Sequence, residues 1–346
     1  MSPSAKKPFR SIPVICYHKI SPIASITPEL FKKQLQYVRA LGFRPVRAQE
    51  AVAHIRGETR LRGKPFLITF DDASSDFYLY AYPILRKMKI PSLLFPIPAL
   101  LDKTEDLVDI HDLEMFRVRR GFLSLAHLKE LAQESLVEFG GHTFSHLPIF
   151  ISNENPEIAT ESSPWYPHAI YGESFRPGFP VFKHASAIAG PAFIPDPALC
   201  ADMADFWEKN RGKSDIRKLY MDHYNLLRQH KAAGRWESKA EAHERIRAEI
   251  VRGNDFLRSH LGIDVQTFAY PWGTWSGIAA GILEEDNIRA AFTLEKGLNI
   301  PETDPCRLHR FPARGKGAVW LVFRTFFFGS RLGNRLYKRF KKNRNG

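Results

Sequence analysis

Cysteine is scarce in this chain of 346 residues: Cys16, Cys200 and Cys306 are widely separated and odd in number. That set offers no disulfide framework and no CxxC zinc spacing, and it fits a reducing compartment. Long apolar runs are missing too. No stretch of about 18 apolar residues occurs, which argues against a spanning helix. The opening Met1-Ser2-Pro3-Ser4-Ala5-Lys6-Lys7-Pro8 has charge but no leader-like apolar core or cleavage pattern. A cytoplasmic location is therefore expected. No internal repeat is present.

Acid is absent from one region. From Arg307 to the end there are twelve Lys or Arg and no Asp or Glu, which accounts for nearly all of the net charge of +13. The body is close to neutral, which disfavours a nucleic-acid-binding protein. Within this tail, set at 313–346, Trp320 to Phe323 and Phe326 to Phe328 precede Leu332, Leu336 and Phe340 at four-residue spacing. Basic residues fill the positions between. The pattern suits an interfacial helix on an anionic membrane, giving a peripheral membrane association. A helix covering the core with a frayed basic end, or nucleic-acid contact, would show the same pattern. The membrane reading predicts that residues 315–346 can be deleted with the core still folded.

What is present is alternation. A strand over 12–17 ends at His18, and a helix opens at Thr27 as N-cap with Pro28 at its first position and Gly42 beyond its end. Strands follow at 66–70, 92–97 and 136–139, with helices near 76–89 and 124–134. Repeated βα units of this kind predict an α/β chain with a mainly parallel sheet or barrel. From about 148 to 237 loop signals interrupt the rhythm, with helices near 197–210 and 214–233. This segment reads as a helical and loop insertion over one end of the barrel. The pattern resumes with a capping box at Ser238 and Glu241, strands near 265–270 and 289–294, and an extended segment at 307–311. The expected organisation is a tail over 1–11, a domain over 12–312 and the basic tail.

Two short segments carry chemistry. Phe70-Asp71-Asp72 closes an apolar run, and His142-Thr143-Phe144-Ser145-His146 follows Gly140-Gly141. Neighbouring carboxylates at the end of a strand diverge, so one can ligate metal while the other faces substrate. Histidines four apart share one side of a helical turn and can share an ion. Read singly, the aspartates can be turn residues and the histidines structural. A third segment, Phe268-Ala269-Tyr270-Pro271-Trp272-Gly273, also ends a predicted strand, where active sites of parallel barrels collect.

Taken in order, these segments resemble the polysaccharide deacetylases of carbohydrate esterase family 4, which share the NodB-type domain. Tyr17-His18-Lys19-Ile20 with Thr27 to Phe31, and Glu249 to Gly262, are similar to members of that family. The resemblance covers roughly 12–147 and 238–312. It implies a distorted (β/α) barrel and a metal-dependent hydrolase that removes acetyl from an N-acetylated sugar of a polysaccharide, oligosaccharide or lipid-linked precursor. By the same resemblance Asp71 is the catalytic base, Asp72, His142 and His146 hold a divalent metal, and the backbone N–H of Trp272 stabilises the oxyanion. Zinc is the expected ion, with cobalt, nickel or iron able to use such ligands. A late histidine protonates the leaving amine in that family. His309 is the expected residue here, with His18 the other candidate. Ala269 replaces the usual arginine of the third motif, so a positive partner for Asp71 must come from elsewhere, Arg176 and Arg310 being candidates. O-deacetylation, another amide hydrolysis, or a glycan- or lipid-binding pseudoenzyme are the other readings.

Overall fold

The computed structural model describes residues 10–104 and 121–342, the last three as backbone only. Most of the expected N-terminal tail lies outside the described residues. The chain forms two compact units, Met1–Ser145 with Ile250–Gly273 and Ile282–Gly346, and His146–Glu249 with Thr274–Gly281.

The first unit is a ring of parallel strands wrapped by helices. Its elements are β1 (Val14–Tyr17), α1 (Pro28–Ala40), β2 (Phe43–Pro45), α2 (Ala48–Ile55), β3 (Lys64–Asp72), α3 (Tyr82–Met88) and β4 (Ser92–Pro96). They continue with α4 (Leu125–Gln133), β5 (Val137–Phe139), the part from Ile250 onward of α5 (Lys239–Leu261), β6 (Thr267–Ala269), β7 (Ala290–Phe292), β8 (Phe311–Pro312), α6 (Ala318–Gly329) and α7 (Arg331–Lys342). Parallel ladders join β8, β1, β3, β4 and β5, with β2 on the start of β3. A parallel bridge from Gly141 to Phe268 carries the ring on to β6 and β7, and another from Phe292 to Leu308 returns it to the segment entering β8. The ring closes partly through single bridges, so it is a distorted (β/α) barrel.

Local chemistry explains the elements. Thr27 caps α1, its hydroxyl accepting from the Leu30 N–H at 3.2 Å, and Gly42 turns the chain at φ 78°. Ser124 caps α4 in the same way. The box at Ser238 and Glu241 forms in both directions. The expected helix near 76–89 opens instead as a π-helical segment, Phe77–Ala81, before α3.

Strand alternation sorts the core. Phe66, Ile68 and Phe70 of β3 pack outward with Phe31 and Leu35 of α1, where Phe70 stacks on Tyr17 and meets Phe77 edge-on. Leu67 of β3 joins Leu93, Phe95 and Phe292 in a second cluster, while Thr69 and Asp71 share that alternate face of the strand.

The second unit has a core of its own, including Phe150, Phe182, Phe193, Tyr220 and Tyr224. Its helices Pro197–Asn210 and Ile216–His230 match the expectation. It also holds a four-stranded antiparallel sheet built from Gly234–Trp236, Phe193–Pro195, Pro148–Phe150 and His184–Ser186. Strands of three residues are too short to show an alternating pattern, which is why a helix-and-loop segment was expected there.

Candidate active site

Asp71 and Asp72 end β3, and the strand fixes their divergence. The Asp71 side chain is 3 % exposed and that of Asp72 is 30 % exposed. Asp72 and Ala73 then take left-handed backbone conformations, at φ 75° and 57°, which stops the strand at the site.

The inner half of the site is built on Asp71. Arg310 forks onto it, with Nη1 donating to Oδ1 at 2.6 Å and Nη2 to Oδ2 at 2.9 Å. Arg310 is itself buried. It donates further to the Thr69 hydroxyl and the Thr293 carbonyl, and its guanidinium lies over the rings of Phe95 and Phe292. Burial pushes the Asp71 carboxyl up, but the Arg310 charge, followed by those of His142 and His18, outweighs burial and holds it well below the usual carboxylate range. Asp71 therefore stays ionised. Cys16 Sγ lies 3.5 Å from Asp71 Oδ2 and His18 Nε2 lies 3.9 Å from the same oxygen. The loop after His18 is anchored by Asp76, whose Oδ2 accepts the Ile20 N–H at 2.5 Å.

The outer half is Asp72, His142 and His146. One ligand atom from each falls within 4.8 Å of the others. His142 Nε2 lies 3.5 Å from Asp72 Oδ1, and its Nδ1 is bonded to the Ala269 carbonyl at 2.7 Å. A carbonyl can only accept, so Nδ1 carries a proton, and Nε2, on the Asp72 side, is the nitrogen left to ligate an ion. One carboxylate and two imidazoles, one with its tautomer set in this way, form a donor set that fits a divalent zinc-like ion. The third motif thus acts on the site through Ala269, two residues before the Pro271–Gly273 turn in which Trp272 is left-handed at φ 55°.

The two histidines converge without a helical turn. Residues 142–146 form a loop in which Thr143 and His146 are left-handed, at φ 66° and 56°, and His146 is where the chain passes into the second unit. The glycines before the loop serve close packing. A Cβ at Gly140 would strike Phe95 and Thr267, and one at Gly141 would strike Asn254 of α5.

His309 is placed differently from the expectation. Arg310 reaches in to Asp71, so its neighbour in the extended chain turns the other way. The His309 ring packs at Gly297 and its charged surroundings are Glu295, Arg307 and Lys338. Burial lowers its pKa, against the opposing pull of Glu295. His18, not His309, stands beside Asp71. Of the two arginines considered, Arg176 pairs instead with Asp205 at 3.0 Å on the surface. Cys16 and Thr69 were not foreseen. Thr69 stands two residues from Asp71 on β3, and Cys16 stands two residues from His18 just past the end of β1, so a period-two reading of both strands would have found them.

Residues 58–173 match the polysaccharide deacetylase family model. Over 275 residues, 79 % of this chain, it is 26 % identical to the poly-β-1,6-N-acetyl-D-glucosamine N-deacetylase of Escherichia coli strain K12. The chain spans about a third of that relative's length, 31 %. Among solved structures, IcaB from Ammonifex degensii superposes with a TM-score of 0.55 at 21 % identity, covering 92 % of this chain and 98 % of its own. The BpsB deacetylase domain from Bordetella bronchiseptica gives 0.58 at 18 % identity, over 88 % and 96 %. These structural likenesses establish the fold. The family-model match over residues 58–173 and the ordered strand-end motifs make this chain similar to the polysaccharide deacetylases.

Proposed function

We propose that the protein is a metal-dependent N-deacetylase that removes acetyl from an N-acetylated sugar of a polysaccharide, oligosaccharide or lipid-linked glycan precursor. The observation that carries this reading is the convergence of Asp72, His142 and His146 beside a second carboxylate kept ionised by a buried arginine. The name of the Escherichia coli relative makes an N-acetylglucosamine polymer the first substrate to try.

Asp72, His142 and His146 are the residues that would hold the ion. Zinc suits the set, and cobalt, nickel and iron share the same ligand chemistry. When bound, such an ion polarises the acetyl carbonyl and acidifies water. Asp71 takes a proton from the attacking water as the new C–O bond forms at the acetyl carbon. Arg310 keeps Asp71 charged despite its burial. The Trp272 amide donates to the developing oxyanion. As the C–N bond breaks, the departing nitrogen takes a proton from His18, whose side chain is 45 % exposed and so can exchange protons with solvent. The products are acetate and the free amine.

The test is acetate release from N-acetylglucosamine oligomers before and after chelation, with an O-acetylated glycan in parallel. Chelator-sensitive release from the amide supports the reading. Release from the ester alone would replace it with O-deacetylation, and no release from any substrate by the metal-loaded protein would favour a binding role.

A further inference from the structure

The C-terminal helices divide the basic tail into two parts with different fates. α6 packs on α1 through Leu321, Thr325 and Phe328, all buried, and Phe328 stacks near Phe311. Its opposite face leaves Val319, Phe323 and Phe326 outside, with Phe323 56 % exposed. α7 folds back on α6. Gly333 has no room for a side chain because the Phe326 carbonyl and the Phe327 backbone lie against it, and Tyr337 packs on Phe327 and Phe328. That seating brings Leu332, 64 % exposed, and Leu336 to the end of the hairpin where Phe326 emerges.

The charges divide too. Arg310 is consumed by Asp71, Arg307 pairs with Glu295, and Arg324 lies over Trp320 and Tyr337. Arg335, Lys338 and Arg339 point into solvent from α7, alongside Arg331, which meets Glu302 at 3.1 Å on the surface. No helix among the described residues is long and apolar enough to cross a membrane.

We infer that the outer face of the α6–α7 hairpin docks on an anionic lipid bilayer, inserting Phe323, Phe326, Leu332 and Leu336 at the level of the headgroups with the α7 cations beside them. Charge complementarity selects the occupant. Exposed aromatic and leucine side chains next to basic residues, one of them paired with Glu302, are the composition of an interfacial helix pair. A polyanion such as nucleic acid would use the cations and leave these apolar side chains in water. The inference does not depend on the deacetylase reading, since no site residue takes part.

The full chain is tested by sedimentation with vesicles of phosphatidylcholine alone and of phosphatidylcholine with phosphatidylglycerol, at low and high salt. Binding to the anionic vesicles only, weakened by salt, is expected. Replacing Arg335, Lys338 and Arg339 by Gln should weaken it by about fivefold per charge removed. Leu332→Ser with Leu336→Ser should weaken it at every salt concentration while far-UV circular dichroism and thermal unfolding stay at wild type. Equal or negligible binding to both vesicles overturns the inference. So does binding to a DNA duplex without binding to vesicles, or self-association of the chain that vanishes with the leucine variant while vesicles remain unbound.

Discussion

Asp71 and Asp72 are neighbours in the chain and opposites in environment. One lies inside the ring, gripped by a guanidinium and pressed by Cys16; the other lies at the rim, facing two imidazoles. The inner half rests on strands: β1 supplies Cys16, β3 supplies Thr69 and Asp71, and Arg310 directly precedes β8. The outer half rests on a loop whose left-handed residues turn His142 and His146 toward Asp72. The difference teaches that a single-residue step along one strand turns one carboxylate toward a buried guanidinium and the next toward the two imidazoles. Pairing with Arg310 keeps the Asp71 carboxylate ionised although it is buried. The more open loop presents ligands.

Substitutions in the two halves should therefore fail in different ways. The largest effect is expected at His142→Ala, which removes a ligand and leaves the buried Ala269 carbonyl without its donor; metal and acetate release should vanish together, as read by elemental analysis and product assay. A His142→Ala protein that kept its ion would contradict the division.

Arg310→Met comes next, because it strands a buried carboxylate. Breaking a buried pair by removing one partner costs about 3–5 kcal/mol. The sign with pH follows from Asp71, whose folded pKa is depressed. The pair's contribution is present above the unfolded value of about 3.9 and is lost as pH falls below it. The stability gap between wild type and Arg310→Met should thus be widest near neutral pH and narrow in acid, as followed by denaturant titration. An equal gap at pH 3 and pH 7 would show that Arg310 acts through packing alone.

The smallest effects separate the two histidines. His18→Gln should slow turnover by about 10²-fold, the lower range for a general acid, with metal content unchanged. His309→Gln should alter rate less than tenfold, since its ring faces Gly297. The reverse ranking would restore His309 as the acid.

The fold was legible because its signals are local. Thr27 and Ser238 cap the helices they were expected to cap, Ser124 opens the helix expected from 124, and the strands carrying Asp71 and preceding His142 stand where apolar runs mark them. The short strands of the second unit gave no periodic signal. The site was legible as a set of strand ends, and Arg310 was one of two arginines considered for Asp71. Choosing between His309 and Arg310 required knowing which face of the last extended segment turns inward, and that phase is set by the Phe292–Leu308 bridge and the pairing of Phe311 with Ile15. The spacing of His142 and His146 pointed to a shared ion through the wrong backbone, because a loop with two left-handed residues has no period to read. The tail was half legible. Its basic and apolar pattern is visible, but burial of Leu321 and Phe328 in the main core is a tertiary fact. Removing 315–346 would expose that core, so deletion is not the clean experiment the pattern alone suggests.

The central claim is that Asp72, His142 and His146 hold the ion and Asp71 does not. Metal stoichiometry and affinity of wild type, Asp71→Asn and Asp72→Asn at controlled free zinc test it most directly. One ion per chain should remain in Asp71→Asn while turnover falls by about 10²–10⁴-fold, the scale of a lost general base. Asp72→Asn should bind the ion far more weakly. Loss of the ion from Asp71→Asn, or undiminished affinity in Asp72→Asn, would contradict the account.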